Sequence, residues 1–396
     1  MPPFVRRRIE SLHARQLHRD PPLLRTEDGA RGHVDGRPAL LFCSNDYLGL
    51  RLDPRLARAA SRAAERWGTG SGSSRLIAGS LSVHAALEAE LADWMGTERA
   101  LVFSSGYQAN LALLSGLAQR GDLVASDALN HASLIDGCRL SRAGVERVAH
   151  ADADAAREAL SLPSAGERFL VGEGLYSMDG DRGPVAAWAA AATDAGAWLL
   201  VDEAHAVGVL GPEGAGTCAE ADIAAHTDAN HSPLLARVGT FGKAFGSHGA
   251  FVATDSETRD LLANVGRAYV FTTALPPPSA EAARVALGIV RSDEGAELRA
   301  RVLALSGRLA RGARDLGLDL AGFHVERPTP IVPVVLGSPE RALAVSNAML
   351  ELGVYARAIR PPTVPEGTSR IRFTLSAVHT EEDVDVALRA LQRALS

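Results

Sequence analysis

From Ala100 onward, short apolar runs and helix-period stretches alternate with little chain between them. Ala100–Phe103, Asp122–Ser126, Val145–Ala149, Arg168–Glu173 and Trp198–Val201 read as strands. A helix running to about Gln119, then His131–Ala143, Asp152–Leu160 and Val185–Ala195, fill the spaces between them. Strands separated by helices need crossover connections, which build a largely parallel sheet with helices on its faces. Unbroken apolar runs such as W-L-L-V suit strands buried on both sides. The expected class is α/β. Ligands of such sheets bind beyond the carboxyl ends of the strands. Gly106, His131, Ser177, Asp202 and His205 all follow strands in the same phase, so they are expected to converge on one crevice.

The 396 residues suffice for two domains and a large core. Residues 1–50 read as an N-terminal segment, with an amphipathic helix over Val5–Arg19 and a hairpin over His33–Phe42 turning at D-G-R-P. Residues 51–278 read as the large domain, beginning with helices Pro54–Trp67 and Leu81–Met95. Composition shifts at Pro276-Pro277-Pro278, and 279–396 read as a smaller α+β domain containing Ile331–Leu336, a helix Pro339–Leu352, Val354–Ala358, Arg370–Leu375 and a last helix from Thr380. A net charge of −6 without long single-sign runs points to neither nucleic acid nor membrane. Cys43, Cys138 and Cys218 are few, scattered and odd in number, which suits a reducing compartment and offers no metal-ligand spacing. The basic N-terminus has no apolar stretch behind it, so no secretory signal is expected and the location expected is cytoplasmic.

Three stretches carry chemistry. In R-V-G-T-F-G-K-A-F-G-S-H-G, Lys243 stands between glycines and is flanked by Phe241 and Phe245. Burial disfavours an ammonium ion and makes the amine available as a nucleophile toward an aldehyde. Alone, the segment favours the plainer reading of a surface lysine in a Gly-rich turn. In W-L-L-V-D-E-A-H, Asp202 ends a buried strand and His205 follows in the turn. A carboxylate there needs a cationic partner, which a protonated pyridine nitrogen would supply. Otherwise Asp202 caps the turn and His205 is structural. In F-S-S-G-Y-Q, a strand, a Ser/Gly turn and a helix make an anion site from free first-turn N–H groups. Ser104 or Ser105 reads as a helix cap or phosphate ligand, since the stretch is not G-x-S-x-G. The loop S-N-D-Y-L-G-L, containing Asn45, reads either as a site-lining loop or as a plain Asx turn.

The motifs S-N-D-Y-L-G-L, F-S-S-G-Y-Q-A-N, N-H-A-S-L, E-G-L-Y-S-M-D-G-D, V-D-E-A-H-A-V-G and T-F-G-K-A-F-G, in this order, resemble those of the α-oxoamine synthases. That resemblance implies the aspartate-aminotransferase fold (fold type I) and pyridoxal 5'-phosphate (PLP). It implies that Lys243 holds PLP, Asp202 pairs with the pyridinium nitrogen, and His205 and Ser177 fix the ring oxygen. His131 would stack on the ring, Gly106 and Tyr107 would bind near the phosphate, and Thr240 would contact the cofactor. Arg372, with Arg370 as rival, would grip a substrate carboxylate. Arg19, Asn45, His131 and Thr363 would contact substrate. The stretch A-I-R-P-P-T-V-P-E-G-T-S-R-I-R is similar to the biotin-biosynthesis branch, which joins L-alanine to pimeloyl-CoA or a pimeloyl-acyl carrier protein. The resemblance also implies a homodimer with active sites at its interface. The alternatives are a sister reaction such as 2-amino-3-ketobutyrate formation from glycine and acetyl-CoA, an aminotransferase, or a non-catalytic PLP-fold binding protein.

Overall fold

The largely parallel sheet that the alternation predicts is present, with seven strands, and its residues explain its burial. The computed structural model describes residues 2–15, 17–227 and 231–396. In chain order the strands are β1 (Leu24–Thr26), β2 (Arg31–Val34), β3 (Arg37–Leu41), β4 (Arg99–Phe103), β5 (Leu123–Asp127), β6 (Gly144–Val148) and β7 (Arg168–Glu173). They continue with β8 (Trp198–Asp202), β9 (Leu234–Thr240), β10 (Ala250–Thr254), β11 (Ile331–Gly337), β12 (Val354–Tyr355), β13 (Arg357–Ile359) and β14 (Ser369–Thr374). The chain divides into two units: residues 45–177 with 181–301, and residues 1–44 with 178–180 and 302–396.

The larger unit holds the sheet in the order β4-β10-β9-β8-β7-β5-β6. β5 to β9 run parallel, while β10 is antiparallel to both β9 and β4. Alternate side chains of each strand go to opposite faces, as the period of two demands. Val124, Phe169, Val171 and Leu200 enter one core with Leu113, Leu134 and Leu262. Ala125, Leu170, Leu199 and Val201 enter the other with Trp188, Val185 and Leu160. Both faces are covered by helices, which is why the central strands turn apolar side chains to both sides. The helix Pro277–Arg291 packs on Pro54–Trp67 and Ser82–Met95, so it belongs to this unit and the division falls after Arg301 rather than at Pro278.

The smaller unit carries two sheets, β1-β2-β3-β12 and β11-β14-β13. The apolar run 354–358 reads as one strand in sequence but forms two. Val354 and Tyr355 pair parallel with β3, the chain turns at buried Ala356, and β13 joins β14 in the other sheet. Residues 1–44 are thus bound to the C-terminal part by strand pairing, rather than forming a separate segment. Phe42 stacks on His379 at 4.4 Å and meets Phe373 edge-on at 6.1 Å. The first helix covers Pro3–Ala14, shorter than Val5–Arg19, because the Leu17 and His18 N–H groups fold back onto the Leu12 carbonyl. Gln16 of the expected helix lies outside the described residues.

Gly239 on β9 shows how closely the central strands are fitted. A Cβ at this position would lie 2.2 Å from the ring of Phe251, its cross-strand partner on β10. Gly239→Ala should therefore lower unfolding free energy by about 1–3 kcal/mol or more, the scale of overpacking a rigid core. Urea unfolding of the variant, with and without Phe251→Leu, checks this. The double variant should recover part of the loss, and strict additivity would contradict the clash.

Candidate active site

The carboxyl ends of β5, β7, β8 and β9 bring the predicted residues of the larger unit into one neighbourhood. Asp202 is the last residue of β8 and is 6% exposed. Its Oδ1 accepts the Ala204 N–H at 2.8 Å and its Oδ2 accepts Asn110 Nδ2 at 2.6 Å. Both donors are neutral. The next residue, Glu203, is fully buried but answered by the Thr217 and Cys218 N–H groups, the Thr217 hydroxyl and Arg237. Among the described residues Asp202 has no such ion pair. Two adjacent acids leaving one strand therefore differ in kind: Glu203 is structural, whereas Asp202 is still suited to a cation.

Lys243 lies in the loop after β9. Phe241 and Phe245 are fully buried and pack edge-on at 5.7 Å, anchoring the loop on both sides of the lysine. The Gly246 N–H donates to the Lys243 carbonyl at 2.9 Å, and Gly246 has φ +60 with the backbone of Arg51 close against it. A side chain at 246 would both strain the turn and strike that backbone. Lys243 is half-buried and near enough for its charge to act on His131 and Glu173. It is also the only lysine among the chain's 41 lysine and arginine residues. Where arginine serves every other basic position, this site uses the amine, which a guanidinium cannot replace as a nucleophile.

His131 caps the helix Ala132–Ser141, with its Nδ1 2.7 Å from Ser133 Oγ. Burial lowers its pKa, the Asp202 charge opposes that and the Lys243 charge adds to it, with a net downward shift. His131 is thus neutral at neutral pH. Its backbone N–H donates to Glu173 Oε1. Burial, followed by the like charge of Asp202, raises the pKa of Glu173 well above the ordinary carboxyl range. His205 is buried, and its Nδ1 lies 2.6 Å from the hydroxyl of fully buried Tyr47. That hydroxyl also reaches Asn45 Oδ1 at 3.3 Å. The loop S-N-D-Y-L-G-L therefore joins the cluster through Tyr47, with Asn45 beside it.

At the anion turn, Ser105 Oγ accepts the Gln108 N–H at 3.3 Å and Ser104 Oγ donates to the Thr273 carbonyl, so both serines are used in local structure. The Gly106 and Tyr107 N–H groups occupy the first turn, where no intrahelical acceptor exists. A Cβ on Gly106 would come no nearer than 4.0 Å to Thr240, leaving room at that helix end. Thr240 ends β9 and donates its hydroxyl to the Gly249 carbonyl at 2.9 Å. The Tyr107 hydroxyl donates to Asp136. Ser177 follows β7 in a loop closed by the Tyr176 N–H to the Asp181 carbonyl and the Gly183 N–H to the Gly174 carbonyl. The donor set therefore fits PLP: helix-end N–H groups for a phosphate, Asp202 for the pyridine nitrogen and Lys243 for the aldehyde.

Arg19, Thr363 and Arg372 belong to the smaller unit. There the Arg19 guanidinium donates to the Thr363 hydroxyl at 3.2 Å. Arg370 and Arg372 alternate with fully buried Ile371 and Phe373 along β14, so both arginines leave the same face. Arg370 is taken up by Asp179 and by the carbonyls of Met178 and Thr368.

Sequence reasoning missed Asn110, Ser133, Tyr47 and Glu173 as participants. Asn110 and Ser133 stand inside quoted motifs, and Asn110 lies one helical turn beyond Gly106, on the same side. That spacing was the available signal.

A family model of class I and II aminotransferases matches residues 37–391, and the chain belongs to that family. Within it, the chain is 45% identical over 388 residues to the 8-amino-7-oxononanoate synthase of Geobacter metallireducens, covering 98% of this chain and 96% of that protein. Among solved structures, Sphingomonas wittichii serine palmitoyltransferase matches with a TM-score of 0.90 and 34% identity over 99% of this chain and 96% of its own. An SPT with a PLP internal aldimine matches with a TM-score of 0.90 and 31% identity, over 99% and 96% respectively.

One ion cluster beside the site titrates in a useful range. His150 lies 3.0 Å from Asp127 and 2.8 Å from Asp181, the residue that closes the Ser177 loop. Burial alone would lower its pKa, but hydrogen bonds to Asp127 and Asp181 outweigh this and push it up to about 10. A raised imidazole pKa stabilises the fold fully below the ordinary 6.5, and that contribution is lost as pH rises through about 10. The stability gap between wild type and His150→Gln should be widest near pH 6 and shrink toward pH 10. Urea unfolding across that range reads it, and a pH-independent gap would contradict the charged bridge.

Proposed function

We propose that this chain is a PLP-dependent acyltransferase. It condenses L-alanine with pimeloyl-CoA or a pimeloyl-acyl carrier protein, giving 8-amino-7-oxononanoate, CO2 and the free thiol carrier for biotin biosynthesis. The observation that carries the PLP reading is the single lysine of the chain, placed in the neighbourhood of Asp202 and His131. The substrate reading is supported by a relative named 8-amino-7-oxononanoate synthase that matches over nearly the whole length.

PLP, when bound, supplies an electron sink for charge developing on the amino-acid α-carbon. Lys243 would hold its aldehyde carbon, and its Nζ would also be the group placed to take the α-proton as a base. Asp202 would keep a proton on the ring nitrogen. With Nδ1 engaged by Tyr47, His205 would meet the ring oxygen through Nε2. Neutral His131 would lie against the ring face, and Gly106, Tyr107 and Thr240 would line the phosphate end. Arg372 would grip the alanine carboxylate through two parallel charge-assisted bonds. The engagement of Arg370 by Asp179 supports that choice. Thr363, with Arg19, would serve the acyl side, and Asn45 the substrate. Two copies of the chain would assemble as a dimer, with active sites at its interface. The three cysteines are free, which suits a cytoplasmic enzyme. Among the described residues no helix is long and apolar enough to cross a membrane.

A sister reaction has one observation in its favour, the close structural match to serine palmitoyltransferase. Incubation with pimeloyl-CoA, palmitoyl-CoA or acetyl-CoA, each with alanine, serine or glycine, followed by product mass, separates the readings. The expected outcome is that alanine with pimeloyl-CoA gives the mass of 8-amino-7-oxononanoate and dominates. Preference for serine with palmitoyl-CoA, or glycine with acetyl-CoA, would overturn the assignment. Arg372→Lys should raise the apparent constant for alanine at least about tenfold while changing that for the thioester little, since a lysine cannot copy the bidentate grip. Equal effects on both substrates would remove Arg372 from the carboxylate.

A further inference from the structure

Asn110 stands at the centre of a hydrogen-bond chain that spans three elements. It is 1% exposed on the helix Gly106–Leu117, and its Nδ2 donates to Asp202 Oδ2 at 2.6 Å and to Ser133 Oγ at 2.9 Å. Those bonds use both hydrogens of the amide. Its Oδ1 is buried without a hydrogen-bond partner. An amide accepts such a loss only where its donors are needed. Ser133 Oγ receives the Asn110 bond and lies 2.7 Å from His131 Nδ1. A hydroxyl has one hydrogen, and here its remaining acceptor is that imidazole nitrogen. The Ser133 backbone N–H also points at Nδ1, at 3.3 Å. Two donors on Nδ1 leave it no proton of its own, so the imidazole proton sits on Nε2.

We infer that Asn110 is a positioning residue that fixes the plane of the Asp202 carboxylate and, through Ser133, holds His131 as its Nε2–H tautomer. The inference rests on the reading of Asp202 and His131 as the residues that face the cofactor ring. The chemistry explains why an amide stands at 110. An aspartate would set two carboxylates 2.6 Å apart, with no donor from position 110 to Asp202 Oδ2 or Ser133 Oγ. A leucine would leave Asp202 Oδ2 bare. Only a side chain with two donor hydrogens serves both branches, and the helix places it one turn below the phosphate end, so the group at the ring nitrogen and the group on the ring face share one support.

The test uses the full chain loaded with PLP and labelled with 15N-histidine. Ring-nitrogen shifts report the His131 tautomer, with His131→Asn assigning the signal, and absorbance titration gives the dissociation constant for PLP. Wild type should show Nε2–H through neutral pH. Ser133→Ala cuts only the histidine branch, so it should mix the tautomers yet leave the PLP constant within about twofold, while Ser133→Thr keeps the hydroxyl and restores Nε2–H. Asn110→Asp should disturb both readouts and weaken PLP by about tenfold or more, the scale of losing a hydrogen bond to a charged group. An Nδ1–H tautomer in wild type, or an Asn110→Asp protein with unchanged PLP affinity and unchanged His131 shifts, would overturn the inference. Should Asn110→Asp fail to fold, the two Ser133 variants still decide the tautomer. If the wild type takes up no PLP at all, the cofactor reading falls, while the His131 shifts still decide whether the relay sets the tautomer.

Discussion

Asp202 ends a buried strand beside Glu173 of β7, and the groups around it follow from the need to hold a carboxylate there. Removing a carboxylate from water is costly without donors. The donors come from two directions, the Ala204 N–H of the turn and the Asn110 amide of a helix on one sheet face. That helix follows β4, which β10 and β9 separate from β8 in the sheet, and its Asn110 still reaches Asp202 at the end of β8. The same edge brings His131 as a cap, Glu173 beneath it and Lys243 from the exit of β9. Glu203, one residue further, shows the other solution: a complete set of donors including Arg237. What separates the two acids, among the described residues, is the arginine that pairs with Glu203 and has no counterpart at Asp202.

The parallel sheet was legible because its central strands carry apolar runs such as W-L-L-V and the crossovers between them are helices with their own punctuation. Arg168–Glu173 and Val185–Ala195 were bounded correctly, and others shifted by a residue or two where caps rather than hydrophobicity set the ends. β10 escaped because A-F-V-A-T follows the lysine loop without a helix, so its antiparallel placement between β9 and β4 is a tertiary choice. The break at Ala356 escaped for a similar reason: nothing local marks a chain that leaves one sheet for another.

In the site, residues at strand ends were readable from their phase, and Lys243 from its glycines. The supports were not. Asn110 and Tyr47 act on Asp202 and His205 across 92 and 158 residues of sequence. Such partners are selected by the fold, and a motif shows only that a polar residue is present. The two serines before Gly106 illustrate the reverse case. As single residues they suggested phosphate ligands or caps, and the structure commits both hydroxyls to backbone groups, leaving the helix N–H groups for the anion.

An arginine-rich chain with one lysine gives the central claim an unusually clean test. Borohydride converts a lysine–aldehyde linkage into a stable secondary amine, and here Lys243 is the only side-chain amine that can form one. The full-length protein, incubated with PLP, reduced and digested, should carry the phosphopyridoxyl mass on the peptide containing Lys243 and lose its visible absorbance. Modification confined to the N-terminal amine, or none at all, would contradict the account.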